Sequence, residues 1–452
     1  MNIKDDSRKV KKGDIFIALK TINNDGHKYV EDAIKNGASQ VIVEKGIYDV
    51  DTLVVPNTRE YLIKYLKDNY YPEIEDLRLI GMTGTNGKTT TCFLTHKTLN
   101  KLGIKCGYIG TLGFYIDEKI RDLSNTTPDI LELYELLIEC KENGCKCVVM
   151  EVSSQALSMQ RVEGLEFDYT IFSNFTKDHL DYHGTIENYA LAKQLLFKKL
   201  KKDGKAIVNI DDKYNHYFLL KENNNISYGA KKSDYQILEY NMDGEKTTFK
   251  IKNKEQAETY EMKLLGAYNV YNMLIIIIVL KDLGFSYKQI NKMVSELDAP
   301  KGRMDTVFYG TNRIIVDYAH TPDAVKNVIM AAKEMKHNNI YTIVGCGGNR
   351  DKTKRPEMAR IATELSTKAI FTSDNPRFEK PMDIINDMLQ GLDNFNYEIE
   401  ENREEAIKKG IQMLKENDIL LILGKGHETY QIIGDKKIDF DDKEKVLNII
   451  RR

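Results

Sequence analysis

Residues 79–91 read LIGMTGTNGKTTT, and this stretch restricts the fold more than any other. An apolar run ends in Gly84-Thr85-Asn86-Gly87-Lys88-Thr89-Thr90, and a helix-compatible segment follows. A strand that feeds a glycine loop and then a helix N-terminus belongs to a parallel sheet covered by helices. The glycines let backbone N–H groups curl around phosphate oxygens, and the helix dipole adds to the attraction. Lys88 is spaced to reach the β- and γ-phosphates of a nucleotide, and the Thr89 hydroxyl to bind Mg²⁺. Met82 stands where the usual spacing has a glycine, so the loop is a variant. The alternative, a glycine-rich helix start without a ligand, fits poorly with Gly-Lys-Thr-Thr placed directly after a strand.

The rest of the chain repeats the strand–helix rhythm. Its 452 residues suffice for about two to four domains, and three segments emerge. Residues 1–76 mix short strands (14–19, 40–43, 52–55) with helical stretches and end in a linker around Tyr71-Pro72-Glu73. Residues 77–300 carry strands at 77–82, 147–152, 168–172 and 205–210. A hairpin-like stretch from Gln236 to Leu264, with Asp243-Gly244 as its turn, predicts a small antiparallel sheet at the edge. Residues 301–452 carry strands at 313–317, 340–344, 369–372, 397–399 and 419–423. The expected fold is therefore α/β in three domains. A small α/β N-terminal domain precedes a central parallel-sheet ATPase domain with its antiparallel edge, and a C-terminal Rossmann-like domain follows. In the last, Asp317, Gly345, Asp374 and Gly424 fall at or just beyond strand ends, where open α/β sheets bind ligands.

Composition removes several function classes. Lys and Arg total 66 against 68 Asp and Glu, a formal charge of −2, which argues against a general polyanion binder and hence against nucleic acid. The longest apolar run, MLIIIIVL at 273–280, falls far short of the ~18 residues of a membrane span and reads as a buried helix. MNIKDDSRKVKKG lacks the apolar core of a signal peptide, so a cytoplasmic protein without a membrane partner is the expectation, and a monomer is expected alongside it. The six cysteines then read as reduced. Cys140, Cys145 and Cys147 match no zinc spacing and read as buried thiols.

A series of short motifs runs along the chain in order: TGTNGKTT, Asn125-Thr126-Thr127-Pro128, Glu151-Val152-Ser153-Ser154, NFTKDHLD at 174–181, YALAK at 189–193, Gly302-Arg303-Met304, DYAHTP at 317–322 and GKGHE at 424–428. Together they resemble the Mur ligase family over nearly the whole chain, in particular the branch that adds the third residue of the peptidoglycan stem peptide. The resemblance implies ATP-dependent amide formation through an acyl phosphate, with ATP and two Mg²⁺ ions as cofactors. The implied partners are small molecules, a UDP-N-acetylmuramoyl-dipeptide and a diamino acid.

The resemblance also distributes roles. Lys88, Glu151, His179 and Lys193 would be catalytic, and Thr89, Glu151, His179 and Lys193 would hold the metal. Read alone, His179 is a surface histidine, and Lys193 in LAKQLLF is a lysine with its stem along apolar surface. The resemblance instead implies that Lys193 is carbamylated, which requires the neutral amine that burial favours. ATP would be held by Gly84, Thr85, Asn86, Gly87, Lys88, Thr89 and Thr90, with Asn269, Asn272, Arg303, Asp317 and His320. The UDP-dipeptide would be held by Ser7, Arg8, Thr126, Thr127, Ser153, Met159 and Arg161. The stretch before Ser7 is shorter than usual in the family, and Gln155 and Met159 stand where His and Gln are common. Lys352, Lys354 and Arg355 read as a solvated helix start.

Arg350, Asp374, Asn375, Pro376, Arg377, Gly424 and Glu428 match the family's amino-acid acceptor site. Two guanidiniums suit two carboxylates, and Glu428 suits an ammonium. Meso-diaminopimelate carries a carboxylate and an ammonium at both ends, whereas lysine lacks the second carboxylate. Asp374-Asn375-Pro376-Arg377 is the pattern of diaminopimelate-adding enzymes. The expected reaction is addition of meso-diaminopimelate to UDP-N-acetylmuramoyl-L-alanyl-D-glutamate. The alternatives are lysine or another diamino acid as acceptor, a related ligase of another pathway, and a nucleotide-binding regulator without catalysis. Glu379 is open between orienting Arg377 and facing water.

Overall fold

The computed structural model describes residues 1–20, 24–221, 224–254, 256–393 and 395–451. Three sheets and one separate hairpin organise them.

Four short parallel strands, Ile3–Lys4, Ile15–Ile17, Gln40–Val43 and Asp51–Val54, lie side by side in chain order. Successive side chains of a strand point to opposite faces. Phe16 accordingly packs with Val30, Ala33 and Val41 in a small core of the segment's own. Ile17 faces the other way and shares one large core with Leu62, Tyr134 and Leu137. Tyr134 and Leu137 belong to helix Ile130–Glu142 of the following segment, so the N-terminal sheet is seated on its neighbour. The expected linker is correspondingly not an open connection. Tyr71–Ile74 is a helical turn with Pro72 in its first positions, and Ile74 and Leu77 are buried.

The central sheet has eleven strands. Its middle seven are parallel: Cys106–Gly110, Cys147–Glu151, Arg78–Thr83, Phe167–Phe172, Leu200–Asn209, Asn225–Gly229 and Tyr235–Met242. Both edges turn antiparallel, through Thr247–Asn253 and Gln256–Met262 on one side and Gly113–Tyr115 and Lys119–Arg121 on the other. The hairpin expected after Gln236 is present, with Asp243 accepting from the N–H groups of Glu245 and Lys246 in its turn. It forms the antiparallel edge of the main sheet, which it joins where Tyr228 pairs with Tyr235. Helix Ala267–Asp282 carries the apolar run, buried from Met273 to Leu280. All six cysteines are free and buried.

The third sheet runs Asp305–Tyr309, Asn312–Asp317, Ile419–Leu423, Ile340–Val344, Lys368–Phe371, Tyr397–Ile399, parallel except for the first strand. Its register aligns Asp317 with Leu423, Leu423 with Val344, and Val344 with Phe371. The loops that leave these ends therefore emerge side by side. A two-stranded hairpin, Tyr430–Ile433 with Lys436–Asp439, closes against them through a bridge from Ile433 to Arg377. Behind them the fully buried Arg403 forms a two-pronged ion pair with Asp442 at 2.8 and 2.7 Å and donates to the Leu423 carbonyl at 3.0 Å.

Candidate active site

The loop after strand Arg78–Thr83 takes the path its glycines permit. Gly84 and Gly87 have φ of 147° and 86°, which L side chains avoid. A Cβ on Gly84 would also collide with Ser173 Oγ, and one on Gly87 with Asn272 Oδ1. Lys88 opens the helix and folds back, donating to the carbonyls of Gly84 and Thr85, each at 2.9 Å. Burial pushes its pKa down, opposed by the Glu151 carboxylate.

Glu151 ends the neighbouring strand and is 1% exposed. Its Oε2 accepts from Thr89 Oγ1 at 2.9 Å, and its Oε1 accepts from Tyr108 at 2.7 Å and from the Thr111 N–H at 2.9 Å. Sequence reading did not single out Tyr108 or Thr111. Both sit on or beside the strand Cys106–Gly110, whose two glycines obscure it as a strand. Lys193 approaches from below. It is 1% exposed, donates to the Gly84 carbonyl at 2.7 Å and lies 4.4 Å from the centre of the Tyr189 ring. Burial, then repulsion from Lys88, lowers its pKa well below the usual lysine range. His179 sits at a positive φ of 52°, with Nε2 3.4 Å from Asp178.

The donors offered here are hard oxygens and one imidazole, which suit a Mg²⁺ that completes its shell with phosphates and water. Among the described residues no three His, Cys, Asp or Glu side chains gather into a metal cluster of their own. The buried, depressed Lys193 amine fits the requirement for carbamylation.

Two cavities adjoin the loop. One of about 430 Å³ is lined by Asn86, Gly87 and Thr90, by Asn269 and Asn272, and by Arg303, Asp317 and His320 from the C-terminal segment. Here Asp317 accepts from the N–H groups of Met304 at 2.7 Å and Ala319 at 2.8 Å, and burial raises its pKa. Burial, aided by Lys354, pushes the His320 pKa down to about 4. Arg303 lies 4.6 Å from the Tyr318 ring centre and donates to Thr89 Oγ1 at 3.0 Å. Asp323, absent from the sequence reading, accepts from Asn86 at 3.0 Å, so the C-terminal segment touches the phosphate loop twice.

The second cavity, about 460 Å³, brings three groups of residues onto one surface. Lys88, Thr89, Glu151 and His179 form the first, and Thr126, Thr127, Ser153 and Arg161 the second. Arg350, Asp374, Asn375, Arg377, Gly424 and Glu428 form the third. Thr127 is locked in place: its hydroxyl donates to the Glu151 carbonyl at 2.9 Å and accepts from the Ser153 N–H at 3.1 Å, and its carbonyl accepts from Arg161 at 2.8 Å. Ser7, Arg8 and Met159 line neither cavity. Ser7 is buried, and Arg8 projects outward beside Asp6 at 2.8 Å.

In the third group Arg377, at φ 53°, donates to the Gly348 carbonyl at 2.9 Å. Burial and the neighbouring Arg350 both lower its pKa, as expected where two guanidiniums face one space. Glu428 Oε2 accepts from the fully buried Lys425 and from Asn375, both at 2.9 Å, so this carboxylate already has a cationic partner. Pro376 is buried and shapes the turn without lining the cavity.

One expectation fails. Arg355 is not part of a solvated helix start. It is 1% exposed and bonded to Glu379 and Asp387, and Lys354 is largely covered beside Asp178. Those partners lie on separate loops and a later helix, which a local reading of charge does not join. The same contacts answer the question about Glu379: it binds Arg355.

Comparison with known proteins agrees with this arrangement. Residues 2–74 match the family model "Mur ligase family, catalytic domain", 82–280 the "Mur ligase middle domain" and 302–426 the "Mur ligase, glutamate ligase domain". The chain belongs to the Mur ligase family. Among its relatives in that family is the UDP-N-acetylmuramoyl-L-alanyl-D-glutamate–2,6-diaminopimelate ligase of Fusobacterium nucleatum, 44% identical over 97% of this chain and 91% of the relative. The ligase of the same name from Clostridium perfringens is 41% identical over 99% of this chain and 94% of the relative. A solved Mur ligase structure bearing that name superposes with a TM-score of 0.71 at 33% identity, covering 100% of this chain and 94% of its own. The MurF ligase from Thermotoga maritima, solved in complex with ADP, shares the fold at a TM-score of 0.70 and 17% identity, covering 99% of this chain and 96% of its own. Among the described residues no helix is long and apolar enough to cross a membrane.

Proposed function

We propose that this Mur ligase uses ATP to add meso-diaminopimelate to UDP-N-acetylmuramoyl-L-alanyl-D-glutamate. The observation that carries the reading is the single cavity of about 460 Å³ that joins Lys88 and Glu151, Thr127 and Arg161, and Arg350 and Arg377. Residues 1–76 and 77–300 would hold the UDP-dipeptide between them, 77–300 and 301–452 the ATP, and 301–452 the incoming amino acid.

Phosphate oxygens of ATP lie against the N–H groups of residues 84–90, and Lys88 exchanges its two carbonyl acceptors for them. The D-glutamyl γ-carboxylate attacks the γ-phosphorus and ADP leaves, giving an acyl phosphate. An amine of diaminopimelate then attacks the acyl carbon, and phosphate leaves as the amide forms. Lys88 and Arg303 offset negative charge at the transferring group. Thr89, Glu151, His179 and carbamylated Lys193 would hold Mg²⁺, which supplies further charge neutralisation when bound.

Arg350 and Arg377 supply cationic forks for the acceptor's two carboxylates, and Asn375 donates to Glu428 at 2.9 Å. Phosphate release from ATP tests the reaction class. It should require the UDP-dipeptide and the amino acid together, and release with ATP alone at the same rate would contradict it.

A further inference from the structure

The two arginines of the acceptor site sit on loops that are held by groups outside the cavity. The loop at 345–350 and the loop at 374–379 cross one another. The Gly348 N–H donates to the Asn375 carbonyl at 2.9 Å, and the Phe378 N–H donates to Asn349 Oδ1 at 3.1 Å. At the crossing, Asn349 and Arg377 both adopt positive φ, 52° and 53°. Asparagine adopts that conformation readily, whereas an arginine does so rarely and needs support from its surroundings.

At Arg377 the support comes from the hairpin, whose Ile432 carbonyl accepts from the Arg377 N–H at 3.0 Å and whose Gly434 N–H donates to the Arg377 carbonyl at 2.7 Å, while the crossing at Asn349 is held by Glu379. Its two oxygens accept from the two terminal nitrogens of Arg355, each at 3.0 Å. Oε1 also accepts from the backbone N–H of Asn349. Arg355 is itself fixed from behind by Asp387 at 2.7 Å and by the Gly347 carbonyl at 3.3 Å. One carboxylate therefore links the Arg350 loop to the Arg377 loop and ties both to a buried guanidinium. Neither Glu379 nor Arg355 lines the cavity.

We infer that Glu379 and Arg355 are positioning residues for acceptor selection. They set the spacing and direction of Arg377 relative to Arg350, so that a second carboxylate is read in one place. The inference rests on the diaminopimelate reading of this pocket. Its physical basis is the fixed geometry of a bidentate guanidinium–carboxylate pair, together with the sensitivity of such sites to small displacements. A pair that only stabilised the fold would affect every substrate alike. A pair that aims Arg377 affects the substrate bearing the second carboxylate and spares one that lacks it.

The test is steady-state kinetics on the full chain and its Glu379→Gln and Glu379→Asp variants, with meso-diaminopimelate and L-lysine as acceptors and melting temperature alongside. For Glu379→Gln the KM for diaminopimelate should rise about tenfold, a loss of ~1.4 kcal/mol, while kcat and the KM for ATP stay within about twofold. The preference for diaminopimelate over lysine should fall by the same factor, and Glu379→Asp should recover part of it. If Glu379→Gln does not fold, Arg355→Lys, which keeps the charge but not the fork, should show the same loss of preference. A selective wild type whose preference survives these substitutions overturns this inference alone. A wild type with no preference for diaminopimelate overturns the acceptor reading and this inference with it.

Discussion

The buried Nζ of Lys193 donates to the carbonyl of Gly84 at 2.7 Å, touching the phosphate loop from a helix 109 residues further on. In a solvated position this side chain would be an ordinary lysine. Here burial and Lys88 favour the neutral amine, the form that reacts with carbon dioxide. Lys193→Ala should lower kcat by at least about 10–100-fold, the usual cost of disturbing the shell around a catalytic metal. Short carboxylates such as acetate should restore part of the rate. Undiminished activity without them would remove Lys193 from the site.

Arg377 is predicted to govern the acceptor and little else. Removing one partner of a desolvated charge pair costs about 2–5 kcal/mol, or about 30- to several-thousand-fold in affinity. Arg377→Ala should raise the KM for diaminopimelate by that order and leave the KM for ATP nearly unchanged. Equal losses for both substrates would contradict the assignment.

Much of this site was legible because its residues lie in contiguous motifs at strand ends. The glycine loop with Lys88 and Thr89, the strand end at Glu151 and the turn at Arg377 could each be read locally. The strands Gln40–Val43, Ile340–Val344 and Ile419–Leu423 were equally plain as apolar runs. What escaped depends on pairing across the fold. Tyr108 gains its role only because its strand lies beside Glu151. Arg355 looks solvated beside Lys352 and Lys354, yet its partners are 24 and 32 residues away. Ser7 and Arg8 illustrate the converse: a local match that the fold leaves outside both cavities.

The Arg403–Asp442 pair should dominate the stability of the C-terminal segment. Both side chains are fully buried, so Asp442→Asn leaves an uncompensated guanidinium behind the strand end at Leu423. The expected cost is about 3–5 kcal/mol, measured as the shift of the urea midpoint for loss of structure. Glu364→Gln, which breaks the half-exposed Arg360–Glu364 pair, should cost no more than about 0.5 kcal/mol. Comparable shifts for the two would refute the ranking.

Glu379 should also leave a mark on acid stability. Its hydrogen bonds from Arg355 hold the carboxyl down at about 2, against an ordinary value of 4.5. A depressed carboxylate contributes stability that is present above the unfolded value and lost as the folded carboxyl takes up its proton. That contribution should disappear between about pH 4.5 and about pH 2. The melting temperature of Glu379→Gln should therefore fall less steeply than that of the wild type across this interval. Identical slopes would mean that the pair does not persist in solution.

In the proposed function one cavity activates a UDP-dipeptide and presents it to an amino acid with two carboxylates. The most direct test is incubation with UDP-N-acetylmuramoyl-L-alanyl-D-glutamate, ATP, Mg²⁺ and a panel of amino acids, with product mass as the readout. A tripeptide product is expected with meso-diaminopimelate and, at equal concentration, far less with L-lysine. Product formed equally well with lysine, or none with diaminopimelate, would contradict it.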